Sequence, residues 1–276
     1  MPFIPSSVDV QTVRSILASR GLPAELVLEI LDYARYWVPY TNEYTVGCKM
    51  ADEEWSLDFS QARLYNWARL PPVDPIACEY RHLREIEFVI VSHDQGWTTE
   101  NTAGTYNTSS WFETSIIRRN DPEHIICSVT TFPSINDKFR NLEEVQAYLV
   151  PFGWTLVSRP SVDVEPQRRH CPEMMKVESG SHPFSEVDEG KYAWYLQGNQ
   201  VARGYSVFHG ELVRRYRVVW GCSSNLNFEG NEGAGRGEGF VDSLEEGDIL
   251  AIFARAKRRG WENNILGVQM KLWYTI

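Results

Sequence analysis

Residues 85–90 read Glu-Ile-Glu-Phe-Val-Ile, and this alternation of polar and apolar side chains decides the fold class. A period of two places the apolar side chains on one face of a β-strand, whereas a helix would repeat them every three to four residues. Further strands are predicted at 111–118, 124–131, 193–196, 212–220, 249–254 and 265–274. Turn residues separate most of these segments, so we predict a mainly-β protein, an antiparallel sandwich of about eight strands.

A short helical head precedes the strands. Apolar residues of 8–20 recur at helical spacing, and Gly21 supplies a C-terminal stop. Pro23 and Glu25 suit the first turn of a second helix, which Pro39 is expected to end. Two helices of this length cannot form a core alone, so they must pack on the rest of the chain or on a partner.

These patterns divide the chain into three parts. Residues 1–40 form the helical head, and 41–84 form a linker that wraps the sandwich and has room for one strand. Residues 85–276 form the sandwich domain, which we expect to be jelly-roll or galactose-binding-like. Inside it, a short helix is predicted at 142–149, and the proline-rich, charged segment 158–190 is predicted to be a long surface loop.

Composition argues against several classes of protein. A net charge of −10 is unlike a nucleic-acid binder, which usually presents a basic face. No apolar run approaches the roughly 20 residues of a membrane helix, and the N-terminus lacks a signal-peptide pattern. Five cysteines without CxxC spacing fit reduced, buried thiols. We therefore expect a protein of the cytoplasm or nucleus without cofactor, metal site, nucleic-acid partner or membrane partner.

The glycine-rich segment 233–239 invites comparison with a phosphate-binding loop. Such a loop needs a preceding strand, a following helix and backbone N–H groups directed at an anion. Here Glu229, Glu232 and Glu238 flank or interrupt the glycines and would repel phosphate. We therefore expect a flexible connection.

Polar and aromatic residues at predicted strand ends form the candidate ligand site. The string 93–97, His-Asp-Gln-Gly-Trp, follows a strand, and Trp111 shares a strand face with Glu113. A Trp beside a carboxylate is a common platform for a sugar or a cation. Arg255 could pair with Glu113 or Asp94, or anchor an acidic ligand group. The predicted ligand-binding rim consists of His93, Asp94, Trp97, Trp111, Glu113, Arg255, Trp261 and Asn263.

Two other interpretations of these residues stay open. The first is an enzyme of small-molecule metabolism, a cyclase, isomerase or hydrolase, in which His93 with Asp94 or Glu113 is the acid/base pair. No nucleophile motif such as GxSxG accompanies them. The second is a structural role without any ligand. A deep pocket joining these side chains would favour the enzyme, and burial in separate places would count against it.

Residues 22–31, Leu-Pro-Ala-Glu-Leu-Val-Leu-Glu-Ile-Leu, resemble the opening of an F-box, whose pattern is Leu-Pro-x-Glu-Leu followed by Ile-Leu. The match spans these ten residues; the later F-box half, with its Cys-Arg-x-Trp region, is not evident. The resemblance implies that the head docks on the adaptor of a ubiquitin ligase. The partner-binding residues it implies are Leu22, Pro23, Leu26, Ile30 and Leu31.

The rest of the chain is similar to a widespread, poorly characterised domain family of filamentous fungal proteins. The similarity covers residues 80–276 and is carried by the strings 92–97 with 111–113, 196–199 and 247–263, the last containing Gly-Asp-Ile, Ala-Arg-Ala and Gly-Trp-Glu-Asn. The family implies no activity. Together, the head and the sandwich resemble F-box proteins whose sandwich captures a target, including glycoproteins. The leading expectation is therefore a binding module for a protein or a glycan.

Overall fold

The computed structural model describes residues 3–52, 60–70, 82–98, 101–120, 132–160, 191–202, 212–257 and 260–276. These ranges contain three α-helices, α1 (Ser7–Ser19), α2 (Ala24–Tyr33) and α3 (Leu142–Leu149). They also contain twelve strands: β1 (Val38–Tyr44), β2 (Cys48–Ala51), β3 (Gln61–Arg69), β4 (His82–His93), β5 (Ser110–Arg119), β6 (Lys138–Phe139), β7 (Trp154–Leu156), β8 (Trp194–Gly198), β9 (Arg214–Gly221), β10 (Phe228–Glu229), β11 (Ile249–Ala256) and β12 (Glu262–Thr275).

The strands form two antiparallel sheets. Sheet A has the order β1-β12-β4-β9-β10, with β2 also paired to β12, and sheet B has the order β6-β3-β11-β5-β7, with β8 also paired to β5. One hydrophobic core joins the facing sides of the sheets, for example Phe88 and Met270 of sheet A with Phe112 and Ile252 of sheet B. This arrangement confirms the predicted antiparallel β-sandwich with a small helical portion.

Residues 85–90 lie in β4 and place their alternating apolar side chains on one buried face, as the sequence pattern predicts. Ile86, Phe88 and Ile90 are fully buried in the core between the sheets. The outer face of sheet B carries a second apolar cluster, in which α3 covers residues such as Phe253. Helix α3 begins after Asn141, whose side chain accepts a hydrogen bond from the Glu144 amide at 2.9 Å. The predicted helix at 142–149 is therefore confirmed.

Residues 41–84, interpreted from sequence as a linker, contribute most of β1, all of β2 and β3 and the start of β4. Strand β3 pairs with β11 over its whole length and is buried on both faces except near its end. A strand buried on both faces lacks the alternation that identifies a half-buried one, so its signal is weak. The predicted strand at 124–131 and nearly all of the predicted loop 158–190 lie outside the described residues.

The helical head is shorter than the sequence suggests. Helix α1 begins after a Ser6 cap, and Gly21 has φ +85° at its end, as expected of a stop. Helix α2 ends at Tyr33, well before Pro39, because Arg35 adopts a left-handed conformation with φ 51°. Trp37 is consequently not part of the helix.

The glycine-rich segment is explained by close packing. A Cβ at position 235 would lie 1.9 Å from the carbonyl oxygen of Tyr195, and one at position 237 would lie 2.0 Å from the Trp220 ring. Gly237 also has φ +62°, which favours glycine. These glycines let the segment 233–239 lie directly on the sandwich core.

Candidate functional site

The predicted rim residues gather at one end of the sandwich. Asn264 pairs with His93 in sheet A, and Arg255 pairs with Trp111 in sheet B. Asn263 connects the sheets, since its Nδ2 donates to the Trp111 carbonyl oxygen at 2.9 Å. The structure distributes the rim over three places: the outer face of sheet B, the space between the sheets and the turn after β4.

The first place holds a buried ion pair on the outer face of sheet B. Arg255 Nη1 lies 3.3 Å from Glu113 Oε2, and neither side chain has exposed surface. Trp111 Nε1 donates to Glu113 Oε1 at 2.8 Å, and the Arg255 guanidinium lies 5.6 Å from the centre of the Trp111 ring. Arg255 Nη2 also donates to Ser60 Oγ. The sequence suggests Glu113 or Asp94 as the partner of Arg255, and in the structure the partner is Glu113. Because the ion pair is fully buried, its role is structural.

The second place is a buried amide cluster between the sheets. Asn199 Nδ2 donates to Asn263 Oδ1 and to Ser110 Oγ, both at 3.0 Å. Ser92 Oγ donates to Asn199 Oδ1 at 2.7 Å. This amide cluster joins β4, β5 and β12 to the end of β8. Sequence reasoning assigned no role to Asn199, Ser92 or Ser110, and the string 196–199 was the only signal for the first of them.

The third place is the turn at 94–97, built around a buried carboxylate. Asp94 Oδ1 accepts from the Gly96 amide at 2.8 Å, and Oδ2 accepts from the Ala202 amide at 3.0 Å. Burial raises the pKa of the Asp94 carboxyl, while these two N–H bonds oppose that rise. Gly96 has φ +89° and makes the bend that the sequence suggests. The turn holds Trp97 at the surface with 51% of its area exposed.

The side chains of the proposed acid/base pair, His93 with Asp94 or Glu113, lie in separate environments. The His93 ring nitrogen Nδ1 lies 2.6 Å from the carbonyl oxygen of Asp94, not from its carboxylate. The Asp94 carboxylate is occupied by two backbone N–H groups, and Glu113 belongs to the outer face of the other sheet. Trp261 is buried as well. Of the eight predicted rim residues, Trp97 alone has a largely exposed side chain, so any recognition at this end would centre on it.

The helical head carries a second candidate surface. Val10, Val27, Leu31 and Ile276 form a small apolar cluster that attaches the head to the sandwich, and Leu22 is partly buried against it. Leu31 and Leu22, two of the residues implied by the F-box resemblance, therefore face the chain itself. The remaining three, Pro23, Leu26 and Ile30, are exposed, as are other apolar residues of the head such as Leu28 and Tyr33.

Other kinds of site find no support in the described ranges. No three His, Cys, Asp or Glu side chains there are grouped so as to hold a metal ion. None of the helices in those ranges is both long and apolar enough to cross a bilayer. In comparisons with known proteins, no family model, no curated protein and no solved structure matches this chain.

Proposed function

We propose that this chain is a binding module, in which the helical head docks on the adaptor of a ubiquitin ligase and the sandwich presents the Trp97 turn to a protein or glycan target. The observation that carries the proposal is an exposed row of apolar side chains on α2: Leu26, Ile30 and Tyr33.

The row stands out because α2 is apolar on two faces. Val27 and Leu31 are buried against the sandwich, so they account for the helix's attachment to the chain. Leu26, Ile30 and Tyr33 follow at i, i+4 and i+7 and are 45%, 44% and 95% exposed. A surface helix normally turns polar side chains to water. An exposed apolar stripe with this spacing is typical of a helix that packs into a partner.

The head is firmly mounted, which favours docking. Arg84 Nε lies 3.2 Å from Asp32 Oδ1, and Arg35 pairs with the nearly buried carboxylate of Glu85. Arg14 Nη1 donates to the backbone oxygen of Ile276 at 3.1 Å. A surface that is already ordered loses little conformational entropy on binding. The reason for proposing a ubiquitin-ligase adaptor as the partner is the F-box-like string Leu-Pro-Ala-Glu-Leu at 22–26.

The hydrogen bonds that hold Trp97 at the surface support its proposed role in binding a target. Gln95 Nε2 donates to the Trp97 carbonyl oxygen at 2.6 Å, and the buried Asp94 carboxylate fixes the preceding bend. An exposed Trp on a hydrogen-bonded turn supplies a large contact area, and Trp is enriched among the residues that dominate binding energies. Sugar rings and peptide side chains both pack on such a surface.

Docking of the head is tested with the purified adaptor subunit of an F-box-dependent ubiquitin ligase and isothermal titration calorimetry. We expect the wild-type chain to bind and Leu26→Asp to weaken binding at least about tenfold, the equivalent of 1.4 kcal/mol. Leu266→Asp is the matched control, because Leu266 is 44% exposed and lies at the other end of β12 from the head. No binding by the wild type, or equal loss in both variants, contradicts the proposal.

Target recognition is tested separately with an array of glycans and purified glycoproteins. The wild-type chain should bind selected members, Trp97→Phe should retain part of the signal, and Trp97→Ala should lose it. All three proteins should unfold at similar temperatures, since Trp97 is largely exposed. A signal that is unchanged in Trp97→Ala excludes this turn as the recognition surface.

A further inference from the structure

A cleft opens at the side of the sandwich, between β2 and β3. We call it the lateral cleft; it is lined by the β1–β2 connection and β2 of sheet A (44 and 46–49), by residues 63–67 of β3 in sheet B, and by 134–136. Its volume is about 360 Å³. That size lies at the lower end of the range for small-molecule sites. Strand β6 pairs with β3 only at Ala62 and Arg63, and no other strand in the described ranges covers the rest of that edge beside the lateral cleft.

Arg63 gives the lateral cleft a positive charge. Its guanidinium is partly buried, and its hydrogen-bond contact is Nη1 to the Cys48 sulfur at 3.5 Å, within the part of the chain that the structure describes. No described carboxylate lies within 4.0 Å of it, whereas Lys49, on the β2 side of the lateral cleft, pairs with Glu262 at 2.5 Å. The described lining contains no Asp or Glu. Because a partly buried charge is costly without a partner, the lateral cleft favours an anion.

An amide group in the lining adds a hydrogen-bond donor. Asn66 is buried in the wall, and its Oδ1 accepts from the Trp67 amide at 2.8 Å. Its Nδ2 has no hydrogen-bond partner among the residues that the structure describes. Buried polar atoms are almost always paired in folded proteins, so an unpaired donor needs an explanation. A guanidinium and an amide N–H in one wall are the donors that a carboxylate accepts from.

Aromatic side chains supply the remaining specificity. Trp67 is partly exposed in the wall and packs on Phe132, with ring centres 5.0 Å apart. Tyr44 meets Tyr65 edge to face at 5.2 Å, and the Tyr65 hydroxyl donates to the Val46 carbonyl oxygen at 2.9 Å. These contacts hold flat apolar surfaces beside the charge. They suit a ligand that has an apolar, planar body as well as an acidic group.

We propose that the lateral cleft binds a small organic carboxylate, with Arg63 pairing with the carboxylate and Trp67 packing against the planar body. The proposal is independent of the helical head and of Trp97. It gives the chain a small-molecule site that neither the sequence motifs nor the strand-end cluster predicts.

The test uses benzoate as the acidic probe and benzamide as its neutral counterpart of the same shape. Each is titrated into the isotopically labelled full chain while two-dimensional NMR follows the amides of residues 63–67 and the Trp67 indole N–H. Benzoate should shift these signals, and benzamide should bind at least about tenfold more weakly because it cannot form the ion pair. Inorganic phosphate, an anion without a planar body, should also bind more weakly than benzoate.

Two variants separate the ion pair from general effects. Arg63→Gln should weaken benzoate binding about tenfold or more, while Arg69→Gln, an exposed arginine on the same strand outside the lining, should leave it unchanged. Both variants should keep the wild-type spectrum away from the substitution. The proposal is overturned by the absence of shifts with benzoate, by equal binding of benzamide or phosphate, or by unchanged binding in Arg63→Gln.

Discussion

Arg255 and Glu113 form an ion pair from neighbouring strands of sheet B, with 3.3 Å between Nη1 and Oε2 and no solvent exposure of either side chain. Trp111 donates a hydrogen bond to the carboxylate, and Ser60 accepts one from the guanidinium. Charges buried this deeply are tolerated only when they are paired and hydrogen-bonded. The arrangement therefore links β5 and β11 to the segment before β3, and it leaves little of either charge for a ligand.

Breaking this pair should be more costly than replacing it. Glu113→Leu and Arg255→Met should each lower the free energy of unfolding by about 3–5 kcal/mol, since each leaves one buried charge behind. The double variant Glu113→Leu/Arg255→Met should lose clearly less than the sum of its single changes. Urea denaturation measures all three. Lys49→Met, which breaks the exposed pair with Glu262, is the control and should cost about 0–1 kcal/mol. A loss in the double variant equal to the sum of the two single losses would show that Arg255 and Glu113 do not stabilise each other.

The amide cluster between the sheets should also be structural. Asn199→Ala removes the partners of Asn263 Oδ1 and of the Ser92 hydroxyl in a place that water does not reach. Each unsatisfied buried group costs about 1–3 kcal/mol, so we expect a loss of at least that size in urea denaturation. Asn107→Ala, at an exposed position, should stay within about 0.5 kcal/mol of wild type. Equal stability of the two variants would show that the cluster does not hold the sheets together.

How much of this could be predicted from sequence depended on the range of the interactions. The strand at 85–90 and the end of α1 at Gly21 were predicted because alternation and a terminal glycine are local signals. Strand β3 was missed because burial on both faces removes alternation. The role of Asn199 was missed because its partners lie up to 107 residues away, and nothing local marks them.

In the candidate site, too, interactions between distant segments could not be predicted from the sequence. Trp97 and Trp261 occur in similar strings next to glycines, yet the first is exposed and the second is buried. Which tryptophan reaches the surface is decided by packing between distant segments, and the sequence pattern contains only the residue type. The grouping of the motif residues at one end of the sandwich was predictable, because several of them end or begin neighbouring strands. Their division into a buried ion pair, an amide cluster and a turn could not be predicted.

Asp94 should make stability depend on pH in an unusual direction for a carboxylate. Burial raises the pKa of its carboxyl above the unfolded value of about 3.9, so between the two values the folded protein binds more protons than the unfolded chain. The stability from this group is complete below the unfolded pKa and is lost as pH rises through the folded pKa. Urea denaturation of wild type and Asp94→Asn at several pH values measures the effect.

The difference between these two proteins is the informative quantity, because titrations that they share cancel. On acidification from neutral pH, the free energy of unfolding of wild type should increase relative to that of Asp94→Asn. A carboxylate held mainly by its two N–H bonds would give the reverse, because its folded pKa would be lowered. A relative loss of wild-type stability on acidification would therefore show that hydrogen bonding outweighs burial at Asp94.

The two faces of α2 should respond differently to the same truncation. Leu31→Ala removes a buried contact with the cluster around Ile276, so it should loosen the head at a cost of about 2–5 kcal/mol. Leu26→Ala alters the exposed row and should leave the free chain within about 0.5 kcal/mol of wild type. Hydrogen exchange followed by mass spectrometry should show faster exchange in α1 and α2 for the first variant and no change for the second.

Strands β4 and β12 provide the internal reference for that experiment. Their amides lie in the middle of sheet A and should exchange at wild-type rates in both variants, provided that the head opens without unfolding the sandwich. Faster exchange throughout the chain in Leu31→Ala would instead mean that the head and the sandwich unfold as one unit. Faster exchange in the head of Leu26→Ala would mean that the exposed row contributes to attachment, and a partner surface would then have to be sought elsewhere on the head.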